Sequence, residues 1–323
     1  MPKSIYPWQT SQWQRLTELK QQNRLPHALL LKGAAGLGKR FFALEFARFL
    51  LCREQNAPCH QCHGCHLFAA GSHPDFMLLE PEQSGGAIKI DQIREMVQFV
   101  SETAMQSGFR VIIVNPAHAM NVYSANALLK TLEEPAPNTI IILISDQSAR
   151  LPATLLSRCQ KIFFQKPTIH ESSAWLNENS EILQAELLLN LAQGAPLKAK
   201  EFSETDLLAT RKTLYDGLHL LKDQKMDPIT LAAKLQECDP KVFFELLFMW
   251  LQDMLRFNAT RDKNHLTNSD YEGVFSQLVH KISTQQLFHF LDHVKKIYSH
   301  VLTGLNLNRL LMLEELLMRW VQL

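Results

Sequence analysis

The sequence lacks any apolar run approaching the roughly 18 residues of a membrane span. Its apolar runs are short, and Ile140-Ile141-Ile142-Leu143-Ile144, for example, has strand length, so no membrane partner is expected. The opening Met1-Pro2-Lys3-Ser4 lacks the apolar stretch of a signal peptide, and a cytoplasmic location is predicted. Net charge is also missing: 33 Lys and Arg face 32 Asp and Glu, for a formal +1. That balance gives no overall electrostatic footprint for nucleic acid and leaves only a local basic face open. No internal repeat or low-complexity segment appears. Apolar residues are not lacking: they make up 46% of 323 residues, enough for sizeable cores in two or three domains.

Two further absences fall inside recognisable motifs. Gly33-Ala34-Ala35-Gly36-Leu37-Gly38-Lys39-Arg40 fits the phosphate loop G-x-x-x-x-G-K-[ST] at every fixed position except the last. There a Ser or Thr would place a hydroxyl on Mg²⁺, and here Arg40 brings bulk and positive charge. Downstream, the apolar strand Val111-Ile112-Ile113-Val114 should end in an Asp-Glu pair, the Asp for the metal shell and the Glu for the attacking water. It ends in Asn115-Pro116. Gly33, Gly36, Gly38 and Lys39 still form a backbone cradle with one phosphate-neutralising cation, so weak or vestigial nucleotide binding stays open. Hydrolysis by this chain alone is not expected.

The loop has the context its mechanism needs. Ala28 to Lys32 reads as a buried strand, and Lys39 to Leu51 as a helix whose N-terminus faces the loop. Residues 1–26 read as helix up to a break at Pro26. Further strands are predicted at Phe76–Leu79, Val111–Val114, Ile140–Ile144 and Ile162–Phe164. Helices are predicted from Asp91, from Ser124 to Leu132, and from Ala153 to Leu156. This alternation predicts a parallel five-stranded α/β sheet with helices on both faces. The pattern stops near Lys166-Pro167, and the rest reads helical. Three units are expected: residues 1–166, a small helical unit over 167–205 containing the break Gly194-Ala195-Pro196, and a larger helical domain over 206–323. The last includes helices near Val242–Phe257 and Leu305–Val321. Its stripe of Phe243, Phe244, Leu246, Leu247 and Trp250 reads mainly as an internal core face. A tail this apolar could equally pack against related tails.

Four of the six cysteines, Cys52, Cys59, Cys62 and Cys65, lie within fourteen residues. Two-residue gaps let consecutive thiolates turn back on one ion, and a fourth ligand upstream closes a tetrahedron. With all four positions filled by protein, the metal is structural, and Zn²⁺ suits the set better than an iron–sulfur cluster. His60, His63 and His66 are interleaved and are alternative ligands. Cys159 and Cys238 have no base placed beside them by the sequence and read as core thiols. Arg158, in Leu156-Ser157-Arg158-Cys159, reads by itself as a surface arginine at the end of a short helix.

Ser124-Ala125-Asn126-Ala127-Leu128-Leu129-Lys130-Thr131-Leu132-Glu133-Glu134-Pro135, followed by Leu155-Leu156-Ser157-Arg158-Cys159, resembles the bacterial clamp-loader branch of the AAA+ family. Arg24-Leu25-Pro26-His27-Ala28 before the loop and the cysteine insert after the first helix fit the same branch. The likeness covers the whole chain and is strongest over 24–165. The resemblance implies an AAA+ core with a zinc module, a helical lid and an all-α collar that holds subunits in a ring. It implies that Arg158 is an arginine finger offered in trans to ATP on a neighbouring subunit, and that Cys52, Cys59, Cys62 and Cys65 hold zinc. Active members carry a nucleotide-sensing arginine in the lid. Gly194-Ala195-Pro196-Leu197-Lys198 has none, which agrees with a silent site.

The combination resembles a non-hydrolysing subunit of the DNA polymerase III clamp loader, DNA-directed DNA polymerase activity belonging only to the whole assembly. The implied partners are the ATPase subunits gamma and tau, the delta subunit and, through the assembly, the sliding clamp and primed DNA. The alternative is an active gamma- or tau-like clamp-loader ATPase, which Arg40 and Asn115-Pro116 disfavour. A third reading, a free-standing zinc-dependent DNA-binding module, is disfavoured by the near-neutral charge.

Overall fold

The computed structural model describes residues 5–54, 56–83, 85–101, 108–179, 182, 184–302 and 308–323. It resolves into two compact units, Met1–Thr168 and Ile169–Leu323.

The first unit is built on β1 (Ala28–Lys32), β2 (Phe76–Leu79), β3 (Arg110–Val114), β4 (Thr139–Ser145) and β5 (Gln160–Phe163). All pair in parallel, in the order β2-β3-β4-β1-β5. The central strands are buried along their length, and alternation sends their side chains to opposite faces. Leu30, Ile112, Val114, Ile141 and Leu143 join one cluster with Ile93, Met96, Leu128 and Leu155. These come from α4 (Ile90–Ser101), α5 (Val122–Glu133) and α6 (Ala153–Leu156). Leu29, Leu31, Val111, Ile113, Ile140 and Ile142 are equally buried, and α2 (Lys39–Leu51) packs on β3 and β4. Trp13 of α1 (Thr10–Gln21) makes edge contacts with Phe42 and Phe46 of α2. Helices therefore cover both faces, as a near-continuously apolar parallel sheet requires.

Local signals explain several boundaries. Asn121 caps α5 by accepting from the Ser124 N–H at 2.8 Å, and Ser124 Oγ donates to the Ile88 carbonyl at 3.0 Å. The predicted N-terminal helix is shorter: a single tight turn over Pro7–Gln9 leads into α1, which ends at Gln21. Gln22 to His27 form the turn into β1. The fifth strand begins two residues earlier than expected, at Gln160, because it pairs with β1 from Leu29↔Gln160 onward. Residues 1–4 and 305–307 of the predicted terminal helices lie outside the described residues.

The second unit is helical: α7 (Ile169–Asn179), α8 (Ala185–Leu191), α9 (Pro196–Ser203), α10 (Leu207–Lys222), α11 (Pro228–Leu235), α12 (Pro240–Thr260), α13 (Glu272–Leu278), α14 (Thr284–Leu302) and α15 (Arg309–Gln322). Both α11 and α12 start with Asp-Pro. Asp227 and Asp239 accept backbone N–H bonds at 2.8 and 2.7 Å, and proline takes the first helical position where its missing donor costs nothing. Phe243, Phe244, Leu246, Leu247 and Trp250 are all buried in this unit's own core. That cluster runs from Leu176 to Trp320, so the helices before and after residue 205 share one apolar interior. Asp253 lies fully buried in it. Its carboxylate accepts from the N–H groups of Thr267 and Asn268 and from the Asn268 amide at 2.7–3.0 Å, which offsets the cost of burial. No described helix is long and apolar enough to cross a membrane.

Candidate metal centre and degenerate phosphate loop

Helix α2 carries a candidate site at each end. At its C-terminal end Cys52 stands at the cap position. The chain then turns through Cys59 into α3 (His63–Ala69), a helix the sequence reading did not anticipate. Cys62 caps α3, its sulfur accepting the Cys65 N–H at 3.5 Å, while Cys59 sulfur accepts the Cys62 N–H at 3.3 Å. These bonds favour thiolate and orient the sulfurs. Backbone donors from Gln61 and Cys62 pull the Cys59 thiol down to about 6. Burial pushes Cys52 and Cys65 up.

The four sulfurs all lie within 4.8 Å of one another. The separations Cys52–Cys59, Cys52–Cys62 and Cys59–Cys65 are 3.6, 3.9 and 3.9 Å. A tetrahedron of thiolates with metal–sulfur bonds of about 2.3 Å has edges of about 3.8 Å. The set could therefore hold one metal ion, with no position left open. Of the interleaved histidines, none joins this group among the described residues. His60 instead lies 2.9 Å from Arg48, which also bonds Glu45 at 2.8 Å and so ties the module to α2.

At the N-terminal end of α2 the loop has the expected strand–loop–helix setting, and its cations are already satisfied. The Lys39 ammonium is almost fully buried. It donates to the Gly33 and Ala34 carbonyls at 3.0 and 2.5 Å and pairs with Asp146 at 2.5 Å. Arg40 forks onto Glu80, Nε to Oε1 at 2.7 Å and Nη2 to Oε2 at 3.1 Å. The amide of Asn115 donates to the same Glu80 Oε1 at 2.7 Å. Arg40 is thereby raised and Glu80 lowered from their ordinary values, chiefly through their mutual hydrogen bonds.

The loop's outer side is occupied too. Trp8 Nε1 and Gln9 Nε2 both donate to the Leu37 carbonyl, at 3.0 and 2.8 Å. The Tyr6 ring lies so close to Gly38 that an added Cβ would come within 2.5 Å of it. Gly38 also has φ +78°, so glycine is required there on both counts. Beside Glu80 and Asn115 a cleft of about 600 Å³ opens between the β2 and β3 ends, also lined by His118 and Arg150. Burial holds His118 below its ordinary value.

Arg158 follows α6 and is one-third exposed. It is held by Glu133, with Nε–Oε1 at 2.7 Å and a second contact from Nη2, and by the Thr154 carbonyl at 2.7 Å. Cys159 is buried, and burial raises it to about 11, in keeping with an inert core thiol. Cys238 is partly buried and packs against the second unit's core, its sulfur 3.3 Å from the Asp239 carbonyl just ahead of α12.

Sequence reading missed Glu80, Asp146, Glu133 and the Tyr6–Gln9 cover. Glu80 and Asp146 each directly follow a parallel strand. The carboxyl ends of such strands are where an open α/β sheet collects its functional groups, so position alone could have marked them. Glu133 lies 25 residues before Arg158, and nothing local couples the two.

The family model described as DNA polymerase III, delta subunit, matches residues 8–168. The one described as DNA polymerase III, delta subunit, C terminal, matches 205–322. The chain is 37% identical to DNA polymerase III subunit delta' of Pseudomonas aeruginosa, covering 99% of this chain and 98% of that one. It is 31% identical to subunit delta' of Escherichia coli, covering 97% and 94%. It is 32% identical to subunit delta' of Haemophilus influenzae, covering 98% and 97%.

Proposed function

This chain belongs to the DNA polymerase III delta' family, and on that premise we propose that it is a non-hydrolysing subunit of the clamp loader. In this role it helps an assembly of gamma or tau ATPase subunits and the delta subunit place the sliding clamp on primed DNA. The observation that carries the non-hydrolysing part is the Arg40–Glu80–Asn115 cluster. A hydrolytic loop needs a hydroxyl and a carboxylate converging on Mg²⁺ and an acid to orient water. Here a guanidinium and an amide occupy the first two positions, and Pro116 follows in place of the acid. Lys39, whose place in the motif suits it to a γ-phosphate, is engaged with Asp146 and two carbonyls, which leaves ATP binding weak at best.

Arg158 acts in this reading on a neighbour's ATP. A guanidinium brought to a transferring phosphoryl group in trans can be worth about 10³–10⁵ in rate. The fork now engaged with Glu133 is the one that would meet the phosphate oxygens, so Glu133 parks the side chain until a stronger anion replaces it. Zn²⁺ is the proposed occupant of the Cys52, Cys59, Cys62 and Cys65 site. Its chemistry is structural, because four protein sulfurs leave no open coordination position. Residues 167–205 are assigned as lid and 206–323 as collar.

The test is reconstitution. The purified chain should show no Mg²⁺-dependent ATP turnover. Mixed with its ATPase and delta partners it should enter a stable complex with DNA- and clamp-stimulated turnover. Turnover by the isolated chain would return the active-ATPase reading.

A further inference from the structure

Helix α2 begins with Lys39 and Arg40 in its first turn, with no acidic residue there. Two cations at the positive end of a helix dipole are mutually unfavourable, so each needs an anion from elsewhere. In a working phosphate loop the anions are phosphates and the bridging cation is Mg²⁺. In this chain the anions are carboxylates: Asp146 for Lys39 and Glu80 for Arg40. Glu80 stands at the end of β2, Asn115 at the end of β3 and Arg40 at the start of α2. One carboxylate therefore ties three elements through two donors.

The identities at 40 and 115 depend on each other. An aspartate at 115 would set a second carboxylate against Glu80, with one guanidinium to neutralise both. The asparagine amide instead donates to Glu80, so the loss of the acid and the gain of the arginine fit one arrangement.

We propose that the Arg40 guanidinium is a built-in substitute for a divalent cation, bridging the start of α2 to the strand ends through Glu80 where a phosphate-loop NTPase uses Mg²⁺. The loop's geometry is thereby fixed without metal or nucleotide. Removing the guanidinium should uncover a divalent-cation site made of Glu80 and the group at 115. The proposal goes beyond the clamp-loader role and does not depend on Arg158 acting in trans.

The test is thermal unfolding of the full purified chain, titrated with MgCl₂ at constant ionic strength and without chelator, so that the cysteine site is undisturbed. The wild type should show no Mg²⁺ response. Arg40→Thr should melt lower, on the order of 2–4 °C for the loss of one such bridge, and should regain stability saturably with Mg²⁺. Arg40→Thr with Asn115→Asp should respond at lower Mg²⁺, because two carboxylates then face the ion. Arg40→Thr with Glu80→Gln should not respond. If Arg40→Thr is not recovered folded, Glu80→Gln alone keeps the question open to measurement. It should melt lower than wild type with no Mg²⁺ rescue, and an unchanged melting temperature would remove the bridge. A Mg²⁺ response in the wild type, or none in either Arg40→Thr or its Asn115→Asp partner, would overturn the substitution of arginine for metal. None of these outcomes bears on complex formation, so failure here leaves the clamp-loader reading standing.

Discussion

The two ends of α2 deal with a cation in opposite ways. At the N-terminal end the charges close among themselves: Lys39 with Asp146, Arg40 with Glu80. At the C-terminal end four sulfurs lie within 4.8 Å of one another, an arrangement that could hold one metal ion. The difference teaches how two clusters of chemically able side chains can be told apart. One is closed by its own ion pairs, with a guanidinium where the motif has a hydroxyl. The other brings four sulfurs together with backbone N–H groups on two of them.

The largest effect should come from the cysteine end. Cys62→Ser removes one ligand and the cap of α3 together. The chain should lose its metal by elemental analysis, with a stability loss on the order of several kcal/mol, because binding energy at a closed thiolate site is folding energy. Wild-type protein without bound zinc would remove the contrast between the two ends.

The next effect sharpens the idea that the chain's chemistry lies outside its own loop. Arg158→Ala in the reconstituted assembly should slow the single ATP site facing this chain by about 10³-fold or more. Total turnover should fall only partly. Arg158→Lys should recover little, since an ammonium lacks the planar fork. Fold and metal content should be unchanged, and turnover at the wild-type rate would reduce Arg158 to a partner of Glu133.

A smaller effect concerns the arginine bridge. Glu80 is depressed in the folded state, chiefly by its hydrogen bond from Arg40. Its contribution is therefore present above the ordinary glutamate value of about 4.3 and is lost as pH falls through the folded value. The side chains are 50% and 35% exposed, so the gap between wild type and Glu80→Gln should not exceed about 1 kcal/mol at pH 7. Denaturant titrations should find it closing below about pH 4.3. A gap that persists in acid would mean that Glu80 acts by shape rather than charge.

The smallest expected effect is none. Asn115→Asp alone should give no ATP turnover, because Arg40 still stands where the motif has a metal-binding hydroxyl and Pro116 supplies no acid. Hydrolysis by that single variant in a coupled assay would mean the loop end is far closer to a working site than its ion pairs suggest.

Much of this was legible before any coordinates. Leu29, Ile112 and Ile141 lie in short apolar runs between helical periods, and such runs have few stable arrangements other than a covered parallel sheet. The two-residue gaps of Cys59, Cys62 and Cys65 limit where three sulfurs can point. The missing hydroxyl at 40 and the missing acid at 115 are statements about residue identity, and sequence states identity directly. The helical half was less legible. The stripe from Phe243 to Trp250 is consistent with either an internal core or an interface, because helical period reports which face is apolar and not what covers it.

The sequence by itself determined which groups the phosphate-loop motif lacks here and which cysteines are spaced to meet, since both depend only on residue identity and spacing. Only the tertiary structure decided where the remaining charges went. Glu80 is 40 residues from Arg40 and 35 from Asn115, and Glu133 is 25 residues from Arg158. An ion pair depends on distance in space, which in a parallel sheet is set by strand order. The order β2-β3-β4-β1-β5 brings the carboxyl ends of β2 and β3, with Glu80 and Asn115, to the same end of the sheet as the loop that follows β1 and leads to Arg40.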